Sequence, residues 1–362
     1  MTATDSQRPA RRTGIIGVMS GTSLDGLDLA HCSFELQKEK WEYTVHHAAT
    51  IHYPEALKSR LAQAMTLSGY ELALLDIDLG HYIGKQVRLF CQDFTEEVQW
   101  VASHGHTVFH RPDLGLTTQI GNGAAIAAEC GLDCVCDFRT TDVALGGQGA
   151  PLVPIGDELL FGQYDICLNL GGICNLSYRH EGKRIAYDIS PCNIPLNYLA
   201  QQLGQAFDKD GNIGRNGQLS ATLLAQLDRL DYYGRQDYKS LGREWIDTAF
   251  LPLLQESKLA IADQMRTVCE HIARQIAAAC HIAGSKNMLI TGGGAHNRFL
   301  TDLIRQHFNG EVHAPDDMTI DFKEAIIFAF LGFLRLQRSN NCLASVTGAL
   351  SDSCGGAIYS GK

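Results

Sequence analysis

The sequence predicts an α/β protein of two halves that share one order of secondary-structure elements. Three observations predict it. Each half opens with three strand-like runs, helix-period and strand-like runs then alternate, and a Gly-rich turn follows an apolar strand at the equivalent place in each half. A chain of 362 residues is also too long for one ordinary core and suits two domains.

In the first half, GIIGVM (14–19) is apolar and ends in a Gly/Ser/Thr turn, LDLAHCSF (27–34) alternates, and YTVHHAATI (43–51) makes a third strand. The first dozen residues read as a tail. Pro54 suits the first turn of a helix with Leu57, Leu61 and Met65 on one face. Leu72, Leu75, Leu79, Ile83 and Val87 form the stripe of a second helix over 70–95. QWVAS (99–103), AAIAAEC (124–130) and DCVC (133–136) then read as strand, helix and strand.

The second half repeats the order. DICLNLGG (165–172), CNLSYR (174–179) and KRIAYDIS (183–190) are three strands with tight connections. A helix over 193–207, an insertion rich in Asp, Gly and Tyr (208–240), and a long helix over 260–283 follow. NMLIT (287–291), 296–307, GEVHA (310–314) and 322–338 alternate strand and helix. This is the layout of the duplicated actin-like ATPase (ribonuclease H-like) fold, an α/β protein of two domains with a nucleotide cleft between them. The letters of the two halves do not match, so two unrelated α/β domains are the ordinary alternative. The expected domains are 1–137, with 345–362 returning to it, and 138–344.

Composition narrows the function. A formal net charge of −10 argues against a nucleic-acid or anionic-membrane partner, both of which reward Lys/Arg patches. Twelve cysteines include no C-x-x-C pair and sit in apolar runs, as small buried hydrophobes do in a reducing cytosol. The N-terminus has no apolar signal segment, and AIIFAFLGFL is about half of what spans a bilayer. A cytoplasmic protein is expected.

The glycines favour the duplicated fold. SGTSLDG (20–26) lies between two strands, where a turn of small residues presents backbone N–H groups to a phosphate. Gly21, Leu24, Gly26 and Leu27 supply backbone, Thr22 and Ser23 add hydroxyls, and Asp25 and Asp28 are carboxylates able to hold Mg²⁺. No Lys and no helix follow, so this is not a Walker A loop, and a plain hairpin turn is the competing reading. LGGICN (170–175), with Gly171, Gly172 and Asn175, repeats the device. ITGGGAHNRFL (290–300), with Gly292, Gly293 and Gly294, suits the approach of an adenosine to a helix N-terminus. Asp188 ends an apolar strand and is a candidate general base, with an Asx turn or helix cap as its structural alternative. SHGHTVFHRP (103–112) places His104, His106 and Thr107 after a strand. Lacking a nearby acidic or Cys ligand, it reads as a polyol-binding loop sooner than a metal site. The Gly-rich segment 138–154 reads as a crossing between the domains, with a ligand-contacting role as its equal alternative.

GVMSGTSLDG, SHGHTVFH, QIGNG, ALGGQGAPLVP, LNLGGICNLS, DKDG, KSLGRE, GGGAHN and SVTGA run in order across almost the whole chain, which thereby resembles the anhydro-N-acetylmuramic acid kinases. The resemblance implies a reaction that uses ATP and Mg²⁺ to open 1,6-anhydro-N-acetylmuramic acid with water and to phosphorylate its O6. It implies ATP-phosphate binding by residues 21–28 with help from Gly171, Gly172 and Gly292–Gly294, Asp25 as a metal ligand, and Asp188 as the base. It also implies Glu324 as a second catalytic residue, sugar contacts at His104, His106, Thr107, Asn122 and Arg139, and a homodimer. Where the family reads D-T-G-P-G-N, H-G-Q-T and F-R-R-R-D, this chain has DISPCN (188–193), HGHT (104–107) and FRTTD (138–142). Those departures leave a kinase of a related anhydro sugar such as levoglucosan, or a non-catalytic ATP-binding regulator, as alternatives.

Overall fold

The computed structural model describes residues 14–21, 24, 26–235 and 240–361. The tail and part of the insertion expected over 208–240 lie outside the described residues. The chain divides into two compact units, one running up to Leu160 and resuming at Phe322, the other spanning Phe161–Asp321.

The first unit holds a six-stranded sheet. Its strands are β1 (Gly14–Ser20), β2 (Leu27–Gln37), β3 (Lys40–Ile51), β4 (Val98–Ser103), β7 (Asp133–Cys136) and β13 (Ala357–Tyr359), in the order β13-β7-β4-β1-β2-β3. β1, β2 and β3 form an antiparallel meander, and β4 and β7 continue parallel to β1. A fully apolar β1 suits this central position, because a strand covered on both faces gains nothing from alternation. The Gly69–Phe90 helix buries Leu75, Leu79, Ile83 and Val87 as its periodicity predicts, and Ser68 and Glu71 close a capping box at its start. The core joins these residues to Ile16, Val18, Leu29, Val101 and Ile126.

The second unit carries β8 (Ile166–Leu170), β9 (Ile173–His180), β10 (Lys183–Pro191), β11 (Asn287–Thr291) and β12 (Glu311–His313) in the order β10-β9-β8-β11-β12. Again a three-strand antiparallel meander is extended by parallel strands. The amphipathic Ile261–Ala283 helix packs Met265, Val268, Ile272 and Ile276 against this sheet. Meander first, crossovers second, and the same order of five strands in both units, with β13 added to the first, make this the duplicated actin-like ATPase fold.

The structure differs from the sequence expectations at several points. The segment 104–112 is not a loop: β5 (His106–Arg111) and β6 (Leu116–Ile120) pair as an antiparallel ribbon. The helix expected over 193–207 stops at Gln201. Unit boundaries fall at 160/161 and 321/322, away from the expected 137/138 and 344/345. Contacts within the first unit account for this. Asp142 accepts hydrogen bonds from Gly149 N at 2.7 Å and Thr347 Oγ1 at 2.7 Å, so the Gly-rich segment is tied to the C-terminal part of its own unit. A buried Lys323–Asp157 ion pair of 2.6 Å adds to the same attachment. Gly17 lies so close to Ala325 of the Asp317–Leu336 helix that a Cβ would meet that backbone. All twelve cysteines are free thiols and nine are buried, the packing role expected of them.

Candidate functional site

In the first unit, polar side chains collect around the ends of β1, β2 and β4. Of the expected phosphate-turn residues, Thr22, Ser23 and Asp25 lie outside the described residues. Leu24 N donates to Gly21 O at 3.3 Å with Leu24 at φ 58°, so the chain turns tightly there. Gly26, at φ 155°, passes Ile51 with no room for a Cβ. The Leu27 side chain is fully buried in the core, which leaves only its backbone facing the turn. Asp28 sits opposite Met19 and Thr50 in the sheet, and Thr50 Oγ1 donates to its carboxylate at 2.6 Å.

Arg139 donates through Nε (3.2 Å) and Nη2 (2.8 Å) to His104 Nε2, and through Nη1 to Gly149 O. A guanidinium only donates, so His104 Nε2 is bare and its ring neutral. Burial and then Arg139 push the His104 pKa well down, consistent with this. Burial lowers Arg139 to about 10, with Glu324 the strongest opposing influence. Burial raises the Glu324 carboxyl; Arg139 opposes that shift and the nearby Asp28 adds to it. Tyr53 donates to Ser20 Oγ at 2.7 Å, and Ser20 Oγ lies 3.2 Å from His106 Nδ1. Ser20 thus links the Tyr53 hydroxyl to the His106 ring. Thr107 accepts from Gln119 at 3.3 Å. The Asn122 side chain is engaged within the fold: it caps the Gly123–Cys130 helix through Ala125 N and donates to Asp76.

The second unit gathers a different set. Asn169, Asn175 and Asp188 are direct cross-strand partners on β8, β9 and β10, so one row of three polar residues crosses the meander. The register shifts between Asp188 and Ser190, making a β-bulge at the point where the strand carries its carboxylate. Asp188 Oδ2 accepts Leu241 N at 2.8 Å and Ser240 Oγ at 3.5 Å, while Tyr232 O–H donates to its carbonyl at 2.6 Å. Burial raises the Asp188 pKa, and those two carboxylate hydrogen bonds work against the rise. The helix-cap alternative fails here, because Cys192 occupies the cap position of the Asn193–Gln201 helix without a side-chain bond.

Within this unit the two expected glycine turns meet. Asn193 N bonds Gly171 O, Ile194 N bonds Gly172 O, and Asn193 Nδ2 donates to Leu170 O at 2.9 Å. Gly292, at φ 82°, lies against Asn169 and Leu170, and Gly294 against Leu170 and Asn193. Gly172 and Gly293 are exposed, so their backbone is open to a ligand. Sequence reasoning missed Ser20, Tyr53, Asn169, Tyr232 and the Ser240–Leu241 support of Asp188. KSLGRE marked the last of these as a motif without showing what it touches.

The family model described as anhydro-N-acetylmuramic acid kinase matches residues 13–361. The chain belongs to the anhydro-N-acetylmuramic acid kinase family. It is 34% identical over 366 residues to the anhydro-N-acetylmuramic acid kinase of Aliivibrio fischeri, covering 95% of this chain and 98% of that one. It is 36% identical over 376 residues to that of Vibrio cholerae, covering 97% and 99%. Among solved structures it is similar to a ROK family glucokinase from Streptomyces griseus in complex with glucose and AMPPNP, with 14% identity, TM-score 0.41 and coverage of 87% and 97%. A dehydratase activator from Clostridium difficile with bound ADPNP gives 10% identity, TM-score 0.44 and coverage of 90% and 97%. Among the described residues, no helix is long and apolar enough to cross a membrane.

Proposed function

We propose that this family member is an ATP-dependent kinase that opens 1,6-anhydro-N-acetylmuramic acid and phosphorylates its O6, yielding N-acetylmuramate 6-phosphate and ADP for cell-wall recycling. Water adds across the bridge: its oxygen bonds to the anomeric carbon, the bond from that carbon to O6 breaks, and O6 takes the γ-phosphoryl group. Asp188 removes the proton from water. The observation that carries this role is a desolvated carboxylate held by Leu241 N–H at a strand bulge, since a raised pKa makes a stronger base.

Backbone of residues 21–28, with Gly171, Gly172, Asn175 and Gly292–Gly294, would hold ATP. Phosphoryl transfer demands mainly positioning and charge stabilisation, which such turns supply. Mg²⁺ beside ATP keeps waters and phosphate ligands and needs only one or two carboxylates. Asp28 fits this requirement, a carboxylate at the end of the turn whose nearness raises the Glu324 pKa. Asp25 and Asp28 would hold the ion, which screens phosphate charge. Glu324 would act beside them, and His104, His106, Thr107 and Arg139 are the proposed sugar contacts, with Asn122 serving as a helix cap. A homodimer in the cytoplasm completes the reading, its state to be read by light scattering.

The test is ADP release from Mg-ATP with anhydro-N-acetylmuramic acid, N-acetylmuramic acid, levoglucosan or no sugar, with products weighed by mass spectrometry. Turnover with the first alone, giving a product heavier by water and phosphate, is the expected result. Turnover with levoglucosan alone would change the substrate, and no sugar-dependent ADP would overturn the reading.

A further inference from the structure

A line of hydrogen bonds runs from the Asp188 bulge into the interior of the second unit. Ser190 Oγ is 3.1 Å from Tyr233 Oη, which is 2.8 Å from His271 Nε2, and His271 Nδ1 is 2.6 Å from Asp228 Oδ1. Gln275 Nε2 donates to the same Asp228 oxygen at 3.2 Å. Ser190 and His271 are fully buried. A fully buried imidazole paired to a carboxylate is costly to keep unless its partners are satisfied.

The line has a direction. Asp228 accepts, so His271 carries its proton on Nδ1. With the ring neutral, as burial favours over the pull of Asp228, Nε2 accepts from Tyr233 O–H. Tyr233 can then only accept from Ser190, and the serine proton points away from the Pro191 carbonyl, its other acceptor at 3.0 Å. Meanwhile the adjacent Tyr232 donates to the Asp188 carbonyl. Neighbouring tyrosines thus grip the strand on both sides of the bulge residue, Ile189.

We propose that Asp228, His271, Tyr233 and Ser190 form one positioning line for Asp188, holding the bulge so that its carboxylate meets the attacking water. These are positioning residues, and the proposal rests on the reading of Asp188 as the base.

The test is a kinetic cycle on the full chain: Y233F, S190A, D188N and the double variants Y233F/D188N and Y233F/S190A, with kcat, KM for Mg-ATP and thermal midpoint measured for each. Expected results are a kcat about tenfold lower in Y233F and in S190A with KM for Mg-ATP unchanged, the order of loss that slight misplacement of a reacting group causes. Y233F/S190A should lose no more than the worse single variant, and Y233F/D188N no more than D188N. Wild-type kcat in folded Y233F and S190A would overturn the proposal, as would a further tenfold loss in Y233F/D188N. If D188N itself turns over like wild type, the base assignment fails instead. Should Y233F not fold, S190A and S190A/D188N carry the same comparison.

Discussion

Asp188 and Asn175 are direct partners across β10 and β9, and the register breaks immediately after them. An acid placed at a bulge is aimed by the backbone and not by a rotamer choice alone. Changing Asp188 to Asn keeps the shape and an acceptor for Leu241 N–H while removing the base. We expect D188N to lose about 10²–10⁴ in kcat and to bind Mg-ATP with unchanged affinity by calorimetry.

The raised Asp188 pKa also sets a pH dependence. A base must be deprotonated, so kcat/KM should fall toward acid through a pKa above the ordinary carboxylate value of 3.8. A pH–rate profile should show this acid limb in the wild type and not in D188N.

Gly292 and Gly293 should respond oppositely to one methyl group. At Gly292, φ is +82° and a Cβ would lie 2.4 Å from Asn169 Oδ1 and 3.0 Å from Leu170 C; at Gly293 a Cβ meets nothing within 4 Å. Gly292→Ala should cost about 1–3 kcal/mol and weaken ATP binding, whereas Gly293→Ala should stay within about 0.5 kcal/mol of wild type. Chemical denaturation and nucleotide titration read both.

Asn122 separates a cap from a ligand. Its Oδ1 accepts Ala125 N at 3.1 Å and its Nδ2 donates to Asp76 at 3.1 Å. Asn122→Ala should therefore cost about 1 kcal/mol of stability and leave the sugar KM unchanged. A raised sugar KM at unchanged stability would restore Asn122 as a sugar contact.

His31 makes stability pH-dependent. Burial, and after it His46 and His47, lower its pKa from 6.5 to about 4, against a small opposing pull from Glu96. Between those values the unfolded chain binds a proton that the folded chain does not. This contribution to stability is complete above pH 6.5 and lost as pH falls toward about 4. Thermal midpoints across that window should fall less steeply in His31→Leu.

Much of the fold was legible because its signals are local. β1 announces itself by an unbroken apolar run, and the Gly69–Phe90 helix by its stripe of Leu75, Leu79, Ile83 and Val87. Asp188 and the three glycine turns stand out by residue type at strand ends. β5 escaped notice because His106, His110 and Arg111 make a polar ribbon that reads as loop. The Asn169–Asn175–Asp188 row depends on register between three strands, and the Leu241 contact joins residues 53 apart. The unit boundaries at 160/161 and 321/322 rest on contacts of the same kind: the bond from Thr347 to Asp142 spans 205 positions, and no local pattern encodes it.

The return of the C-terminal segment has a consequence for synthesis. β13 pairs with β7, and the Asp317–Leu336 helix lies against Gly17 of β1, so the first unit is stitched from the two ends of the chain. On the ribosome its N-terminal strands emerge early but cannot complete their own sheet. The contiguous Phe161–Asp321 unit has all of its strands in hand beforehand. The half that is translated first is therefore the half that finishes last, and its β7 edge waits for a partner that is made only after the whole second unit.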